Sequence, residues 1–223
     1  MSRKASNRKV VLSRPPEVFS AIMPPDRRLY ARDLYLQRLN RSQAEELRQL
    51  YLANRAYLNR WLQPLPEKIS LQQMQGLIAE DHRLARKGSR LDLGIFESDS
   101  NRLIGRVALH SVDYGIQHSA GMSYWISHQL CRSGLMTRSL ATMVSFAFEE
   151  ALLHRLWLHI VSDNIASLGL SGKLGFCREG VLRKNLFING EWQDSVLMSM
   201  LASEYDTQAD SWIENGWLGV SQA

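Results

Sequence analysis

The sequence predicts a mixed α/β domain with a mostly antiparallel sheet and helices on both faces. Short segments that alternate apolar and polar residues are typical of strands. Longer segments with apolar residues every three or four positions are typical of amphipathic helices. These segments follow one another as a strand, helices, three strands, a helix, a strand, a helix and two strands. That order is typical of one sheet with helices packed on both sides.

The composition is that of a globular protein with one folded domain. The chain has 223 residues, of which 45% are hydrophobic and 22% charged, and this length suffices for a substantial core. No apolar run approaches the roughly 18 residues of a membrane-spanning helix, so we expect no membrane partner. Cys131 and Cys177 stand in no metal-ligand spacing. We therefore expect no metal and, in preference to a disulfide, two free thiols in a reducing cytoplasm. A monomer and a homodimer both remain open.

The positive charge of the chain is concentrated at its N-terminus. The net charge is +5, and residues 1–32 hold eight Lys or Arg against two acidic residues. Two Pro-Pro pairs in this segment argue against regular structure before about residue 29. We predict a flexible basic arm (1–32), a folded domain (33–204) and a C-terminal tail (205–223). The arm could contact RNA or a ribosome, an acidic protein or an anionic lipid surface, or could serve as a solubilising tail.

The first part of the domain combines one strand with several helices. Residues 34–39 alternate as a strand does, and Ser42 follows as a helix N-cap with Glu45 at the capping-box spacing. A second short helix is expected over residues 54–62, before two prolines. Ser70 has the character of another N-cap and begins a helix that ends near residue 88.

Three strands and the most amphipathic helix come next. The strands are predicted over residues 91–97, 103–111 and 118–126. The helix begins after Gly134, and its apolar positions recur at helical spacing as far as residue 151. This is the segment with the clearest periodicity in the chain.

The last part of the domain returns to the sheet. Residues 156–161 form a strand, and Asn164 begins a further helix. Asn189-Gly190 separates two apolar runs, which is a strong signal for a hairpin of two strands. The tail after residue 205 shows no clear period.

A strand, a glycine turn and a helix start meet near the middle of the chain. The strand ending at Ile126 leads into a polar loop, and Gly134 opens the helix. The first backbone N–H groups of a helix have no partner within the helix, and the helix dipole adds a partial positive charge. This arrangement predicts a binding site for the phosphates of a cofactor.

Several short segments together resemble the GNAT superfamily of acetyltransferases, of the Rim type that acetylates ribosomal-protein N-termini. The resemblance extends over roughly residues 34–201, and its order and spacing are more specific than any one segment. The segments that carry it are residues 53–58 with Trp61, 123–126, 134–137, 163–167, 173–176 leading to 179–180, and 188–194.

The resemblance implies that acetyl-CoA, the acyl donor, binds at a splay between two neighbouring parallel strands. Trp125, Ile126 and Ser127 would offer backbone groups to the pantetheine arm and polarise the thioester carbonyl. The pyrophosphate loop would comprise Cys131, Arg132, Ser133, Gly134, Leu135 and Met136. Arg132 could pair with a phosphate.

The resemblance also implies roles on the following helix and over the sheet. Asn164 and Ser167 would face the cofactor, and Ser167 is the candidate catalytic residue that gives a proton or hydrogen bond to the leaving thiolate. The acceptor would lie against Asn54, Tyr57, Trp61 and Tyr124.

The sequence departs from this family at two positions. The phosphate loop usually begins with Gln or Arg followed by Gly, where this chain has Cys131 and Arg132. Some relatives have a glutamate base three residues before the Asn-Gly turn, where this chain has Leu186. A side-chain base is therefore not assigned, although water relayed to Glu97, His110 or Asp113 could serve. No other residue is considered as a base.

Three functions follow as alternatives. The first is a cytoplasmic N-acetyltransferase for a protein N-terminal amine, with a ribosomal protein favoured. An α-amino group is about 10% neutral at pH 7 and a lysine amine only about 0.04%, so an enzyme without a strong base suits the former. The second is acetylation of a small amine, amino acid or antibiotic. The third is a non-catalytic assembly factor that binds CoA or RNA.

Overall fold

The computed structural model describes residues 19–218, which form one sheet and its covering helices. The helices are α1 (Phe19–Ile22), α2 (Ala44–Leu58), α3 (Leu71–Arg86), α4 (Leu135–Glu149), α5 (Ile165–Lys173) and α6 (Ala202–Glu214). The strands are β1 (Arg28–Ala31), β2 (Leu34–Gln37), β3 (Leu91–Glu97), β4 (Leu103–Asp113), β5 (Ser119–Ile126), β6 (Arg155–Val161), β7 (Cys177–Ile188) and β8 (Glu191–Leu201).

The eight strands form a mixed, mostly antiparallel sheet, as predicted. Their order is β1-β2-β3-β4-β5-β6-β8-β7. Within the described residues, β5 and β6 pair in parallel and every other pair of neighbours is antiparallel. The crossover between the two parallel strands contains α4, since parallel neighbours need a long connection.

Helices cover both faces of the sheet, because successive residues of a strand point to opposite sides. On β2, Leu34 and Leu36 enter a larger core that α4 fills, whereas Tyr35 enters a smaller core. We call these two clusters the larger core and the smaller core. The smaller core is closed by α2 and α3, through residues that include Leu47 and Met74. The predicted placement of helices on both faces is thus confirmed.

The N-terminal boundary of the domain is earlier than predicted. Phe19 and Met23 are 2% and 0% exposed and belong to the larger core. Strand β1 pairs antiparallel with β2 at the sheet edge. The expectation of no regular structure before residue 29 is therefore wrong for residues 19–28, since the prolines leave room for a short helix and a turn between them. The rest of the predicted arm, residues 1–18, lies outside the described residues.

Helix α2 also differs from its prediction. Ser42 is not a cap but lies in a 3-10 turn, Arg41–Gln43, that leads into α2. Asn40 caps this turn: its side chain accepts from the Ser42 N–H, and the Gln43 side chain accepts from the Asn40 N–H. The chain then continues as one helix to Leu58, where two helices were expected. No proline or glycine interrupts residues 44–58, so nothing breaks the backbone hydrogen bonds there.

The C-terminal segment, predicted as a tail without a clear period, folds as helix α6. Tyr205 and Trp212 are 2% and 0% exposed, and Tyr205 OH donates to Glu149 Oε1 at 2.6 Å. The helix therefore packs on α4, and the folded domain extends beyond its predicted end at residue 204. Residues 219–223 lie outside the description.

Two local predictions are confirmed. Ser70 caps α3 in a capping box with Gln73. Asn189 and Gly190, with φ of 53° and 82°, turn the hairpin between β7 and β8. No helix in the described part of the chain has the length and apolar character needed to cross a membrane. Between residues 19 and 218, no cluster of three or more His, Cys, Asp or Glu side chains could hold a metal ion.

Candidate active site

Strands β5 and β6 begin side by side and then separate. Ser119, Ala120 and Gly121 pair with residues 155–157, and no later residue of these two described strands continues the pairing. Gly121 and Trp157 form the last pair. A Cβ atom on Gly121 would lie 2.6 Å from Trp157 Cη2 and 2.4 Å from His110 Cε1. Glycine at this position therefore allows the Trp157 ring to cross β5 at the point where the strands part.

A cavity of about 580 Å³ occupies the opening between the two strands. This volume lies in the usual range for sites that bind small molecules and cofactors. Its walls come from the free ends of β5 and β6, the end of α2, the loop after β5, and the first turns of α4 and α5. The cavity thus joins segments that are more than one hundred residues apart in the sequence.

The cavity has two chemically different sides, because residues of β5 alternate between the two faces of the sheet. Tyr124 packs against the larger core, on the side of α4 and α5, which we call the α4 side. Trp125 packs against the smaller core, on the side we call the α2 side. On β6, Leu158 and Ile160 belong to the larger core, so His159 between them faces the α2 side.

The start of α4 forms one end of the cavity. Gly134 is the N-cap with φ of 82°, a backbone conformation that favours glycine, and Arg132 has φ of 65°. Cys131, Arg132, Gly134 and Met136, four residues of the predicted phosphate loop, line the cavity. The first-turn N–H groups and the Arg132 guanidinium are suited to an anion at this end.

Two predicted members of the phosphate loop do not line the cavity. The Ser133 hydroxyl donates to the Leu130 carbonyl at 2.7 Å and shapes the loop from within. Leu135 is 8% exposed and packs into the larger core. Both contribute to the loop conformation, Ser133 through this local hydrogen bond and Leu135 by packing into the core.

Ser167 lies on the α4 side in the first turn of α5. Its backbone N–H donates to the Asn164 side chain at 3.1 Å, so Asn164 caps the helix while also lining the cavity. The hydroxyls of Ser167 and Tyr124 share a hydrogen bond of 2.6 Å. Burial raises the pKa of Tyr124 to about 12, against a smaller lowering by the Ser167 hydrogen bond. The phenol is therefore protonated at neutral pH and available as a donor to Ser167.

The predicted role of Tyr124 in acceptor binding changes with this geometry. Its side chain reaches across the strand opening to α5, and it lies on the same side as the start of α4. The alternation of β5 is the physical reason, since Ser123 and Trp125 are the residues that face the α2 side. Trp125 and Ile126 also line the cavity, and their contact with the pantetheine arm stays a prediction.

Asn54, predicted to bind the acceptor, and Ser127, predicted to contact the cofactor, bond to each other and do not line the cavity. Asn54 is 6% exposed, and its Oδ1 accepts from the His128 N–H at 2.7 Å and the Ser127 hydroxyl at 3.3 Å. Its Nδ2 donates to the Leu50 carbonyl. Asn54 therefore fastens α2 to the loop that follows β5.

Tyr57 and Trp61, which we predict to contact the acceptor, line the α2 side. The Tyr57 ring lies 4.6 Å from the His128 ring, and its hydroxyl is 3.7 Å from Cys131 Sγ. Burial and, to a lesser degree, the Cys131 contact raise the pKa of Tyr57 to about 12. This wall is aromatic and uncharged at neutral pH.

None of the three carboxyl or imidazole groups considered as bases lines the cavity. Glu97 is paired with Arg102, which lowers the pKa of the carboxyl. Asp113 Oδ1 accepts from the Gly115 N–H at 2.6 Å. His110 packs edge-on against Trp157 and has a pKa lowered by burial.

The sequence analysis missed two cavity histidines, His128 and His159. A signal for His159 was present, because the alternation of apolar residues along 156–161 places it opposite the core-facing positions. Because His159 is far in sequence from Tyr57 and Trp61, the sequence alone did not show that all three line the α2 side. Among the described residues, no Asp or Glu lines the cavity.

Comparison with known proteins agrees with this geometry. The family model described as acetyltransferase (GNAT) domain matches residues 33–177. A Bacillus subtilis protein named "Probable N-acetyltransferase YjcK" is 29% identical over 174 residues, covering 78% of this chain and 96% of its own. The [ribosomal protein uS5]-alanine N-acetyltransferase of Escherichia coli is 27% identical over 186 residues, covering 81% and 94%.

A solved structure shares the fold. Mycobacterium smegmatis RimJ, in complex with CoA-disulfide, superposes with a TM-score of 0.75 and 22% identity. The match covers 82% of this chain and 89% of that one. The likeness is therefore one of fold.

Proposed function

The chain belongs to the acetyltransferase (GNAT) family and is an acetyl-CoA-dependent N-acetyltransferase of the Rim type; from this premise we propose that it acetylates a protein's N-terminal α-amino group, that of a ribosomal protein above all. The observation that carries the proposal is the opening between β5 and β6. Along this opening, the Tyr124–Ser167 pair lies on one side and an uncharged aromatic wall on the other.

The α4 side is the proposed donor site. Pantetheine fits between the free ends of β5 and β6, where unpaired backbone groups can bond to its amides. The diphosphate fits the start of α4, where Gly134 and Arg132 supply a close backbone approach and a positive charge. A cavity of about 580 Å³ has room for the reactive arm and the acceptor amine together.

Different groups on the α4 side act at different steps of the transfer. Backbone N–H groups of β5 at the opening polarise the thioester carbonyl and stabilise the oxyanion that forms on it. The amine nitrogen forms a bond to the carbonyl carbon, and the carbon–sulfur bond then breaks. Ser167 passes a proton to the departing sulfur, and Tyr124 keeps the serine hydroxyl oriented by donating to it.

The α2 side is the proposed acceptor site. A polyamine or another polycation would require acidic side chains to neutralise its additional charges, and the described cavity lining has none. An α-amino group needs to lose only one proton, and it is about 10% neutral at pH 7. Tyr57, Trp61 and Trp125 can pack against the first residues of a polypeptide.

The basic N-terminal residues would bring the enzyme to its substrate. Residues 1–18 carry five Lys or Arg against one Glu, and a cytoplasmic ribosome presents RNA phosphates to such a segment. A truncation that tests this role has to stop before Phe19, since Phe19 lies in the core. Loss of ribosome association in the truncated protein, with unchanged activity on short peptides, is the expected result.

A matched peptide set tests the proposed acceptor. One peptide begins with a free Ala or Ser, and the second has the same sequence with a blocked N-terminus and one internal lysine. Mass spectrometry should detect acetylation of the first peptide alone, with stoichiometric release of the CoA thiol. Acetylation of small amines without acetylation of either peptide would contradict the proposal. CoA binding without thiol release on any acceptor would indicate an assembly factor.

A further inference from the structure

His159 occupies a particular position in the cavity. It lies on β6 two residues beyond Trp157, the last residue that pairs with β5, and therefore in the part of the strand that borders the opening. It faces the α2 side, where the acceptor is proposed to bind. The Trp157 ring lies 4.6 Å from its ring at an angle of 37°. This contact limits the rotation of the imidazole.

A distortion of β7 supplies the polar partner of His159. The pairing of β7 with β8 is irregular between Leu182 and Leu186, and Lys184 there has φ of 49°. Asn185 lies within this bulge, with Nδ2 3.2 Å from His159 Nδ1 and 2.9 Å from Ser195 Oγ. Bulges beside active sites commonly redirect a side chain, and this one brings Asn185 to the histidine.

The Asn185 amide can satisfy the imidazole in both of its protonation states. With Nδ2 towards the ring, the amide donates to the Nδ1 lone pair of the neutral tautomer. After half a turn, Oδ1 accepts from Nδ1–H, as the protonated ring requires, and accepts from the Ser195 hydroxyl. Either arrangement leaves Nε2 free of this contact. The amide can therefore hydrogen-bond to Nδ1 whether or not the ring is protonated.

The electrostatic surroundings favour a neutral ring. Burial lowers the pKa of His159 below its ordinary value near 6.5. Ser195 and Leu197 face it from β8 without charge. On β6, β7 and β8 the other charged or titratable groups are Arg155, Cys177, Arg178, Glu179, Arg183, Lys184, Glu191 and Asp194. The cavity wall adds Tyr57, Tyr124, His128, Cys131 and Arg132, and β4 adds His110. Asp194 Oδ1 accepts from the Lys184 N–H within the bulge. Arg155 is neutralised by Glu179, and the described cavity lining contains no carboxylate that would stabilise the imidazolium.

We propose that His159 is the catalytic base, which takes the proton from the acceptor amine, and that Asn185 is its positioning residue. This inference rests on the proposed function in that an amine is the acceptor. The ammonium group gives one proton to His159, directly or through one water, and the neutral nitrogen attacks the thioester. As the carbon–sulfur bond breaks, a second N–H proton passes through Ser167 to the sulfur. The imidazolium then releases its proton to solvent, so the products are the acetylated amine, free CoA and one proton.

The test compares His159→Gln with His154→Gln, in the full-length protein. His154 is exposed and outside the cavity, and its variant should keep wild-type kcat. His159→Gln should lower kcat at pH 7 by about 100-fold and leave the acetyl-CoA Kd unchanged. The acid limb of the wild-type kcat profile, below pH 6.5, should move in this variant to about pH 8, the ordinary pKa of an α-amino group.

A wild-type kcat and an unmoved acid limb in His159→Gln would overturn the proposal. Asn185→Ala should shift the pKa of this limb and lower kcat several-fold, whereas a purely structural role would lower stability and leave the limb in place. Each variant is assayed with the best acceptor from a panel that includes peptides and small amines. Activity on small amines alone would contradict the proposed substrate and would still test His159, because every amine has to lose a proton.

Discussion

The two sides of the cavity are built in different ways. The α4 side consists of segments that are nearly continuous in sequence, with Gly134 at the start of one helix and Ser167 in the first turn of another. The α2 side collects Tyr57, Trp61 and His159 from distant parts of the chain. Under the proposed function, the first side binds acetyl-CoA and the second side binds the amine. The difference indicates that donor and acceptor binding can be altered separately.

The largest expected effect comes from the α4 side. Ser167→Ala removes the hydroxyl that passes a proton to the thiolate, and kcat should fall about 100-fold. The Kd of acetyl-CoA, measured by calorimetry, should change little, because Asn164 still caps α5. Tyr124→Phe keeps the serine and removes its partner at 2.6 Å, and its kcat should fall by roughly tenfold. If both variants are as active as the wild type, the Tyr124–Ser167 pair has no role in catalysis.

A smaller effect, on the KM for acetyl-CoA alone, is expected when Gly134 is replaced. Valine would have to adopt φ of 82°, which costs about 1–2 kcal/mol for a residue with a Cβ atom. The loop should distort, and the KM for acetyl-CoA should rise by about tenfold or more. Gly76→Ala is the matched control, since nothing lies within 4 Å of its added Cβ. An unchanged KM for acetyl-CoA in Gly134→Val would show that the phosphates do not bind at this turn.

On the α2 side, Trp61→Ala should affect the acceptor alone. Removing a large aromatic wall should raise the peptide KM by about fivefold and leave the acetyl-CoA KM as it is. The exposed Trp192, on the hairpin outside the cavity, provides the control with the same substitution. If both KM values rise together in Trp61→Ala, the two sides are not separable as the structure indicates.

The smallest expected effect is on stability. Gly169 lies inside α5, and nothing is within 4 Å of an added Cβ. Gly169→Ala should raise the free energy of unfolding by about 0.5–1 kcal/mol, because alanine has the better helix propensity. Urea denaturation measures the gain, and kcat should stay at the wild-type level. A loss of stability would show that α5 is tightly packed on all sides.

The same division explains what the sequence could predict. The donor side was predictable because local signals, a glycine at positive φ and an Asn N-cap, lie close to the residues they position. Residues at the start and end of the domain were not, since Phe19 and Trp212 show no periodic pattern and gain their burial only by packing on other elements. His159 and Asn185 are in contact because β7 has a bulge. No local sequence pattern predicts that bulge.

The hydrogen bonds of Asn54 have a consequence for the order of events during turnover. One amide side chain holds the middle of α2 and, at 2.7 Å, the first residues of the segment leading to the phosphate loop. Under the proposed function, a polypeptide that binds against this helix and displaces it will also displace the segment that leads to the predicted phosphate loop. Each ligand should then change the affinity for the other by an equal factor, as thermodynamic linkage demands, and Asn54→Ala should uncouple them.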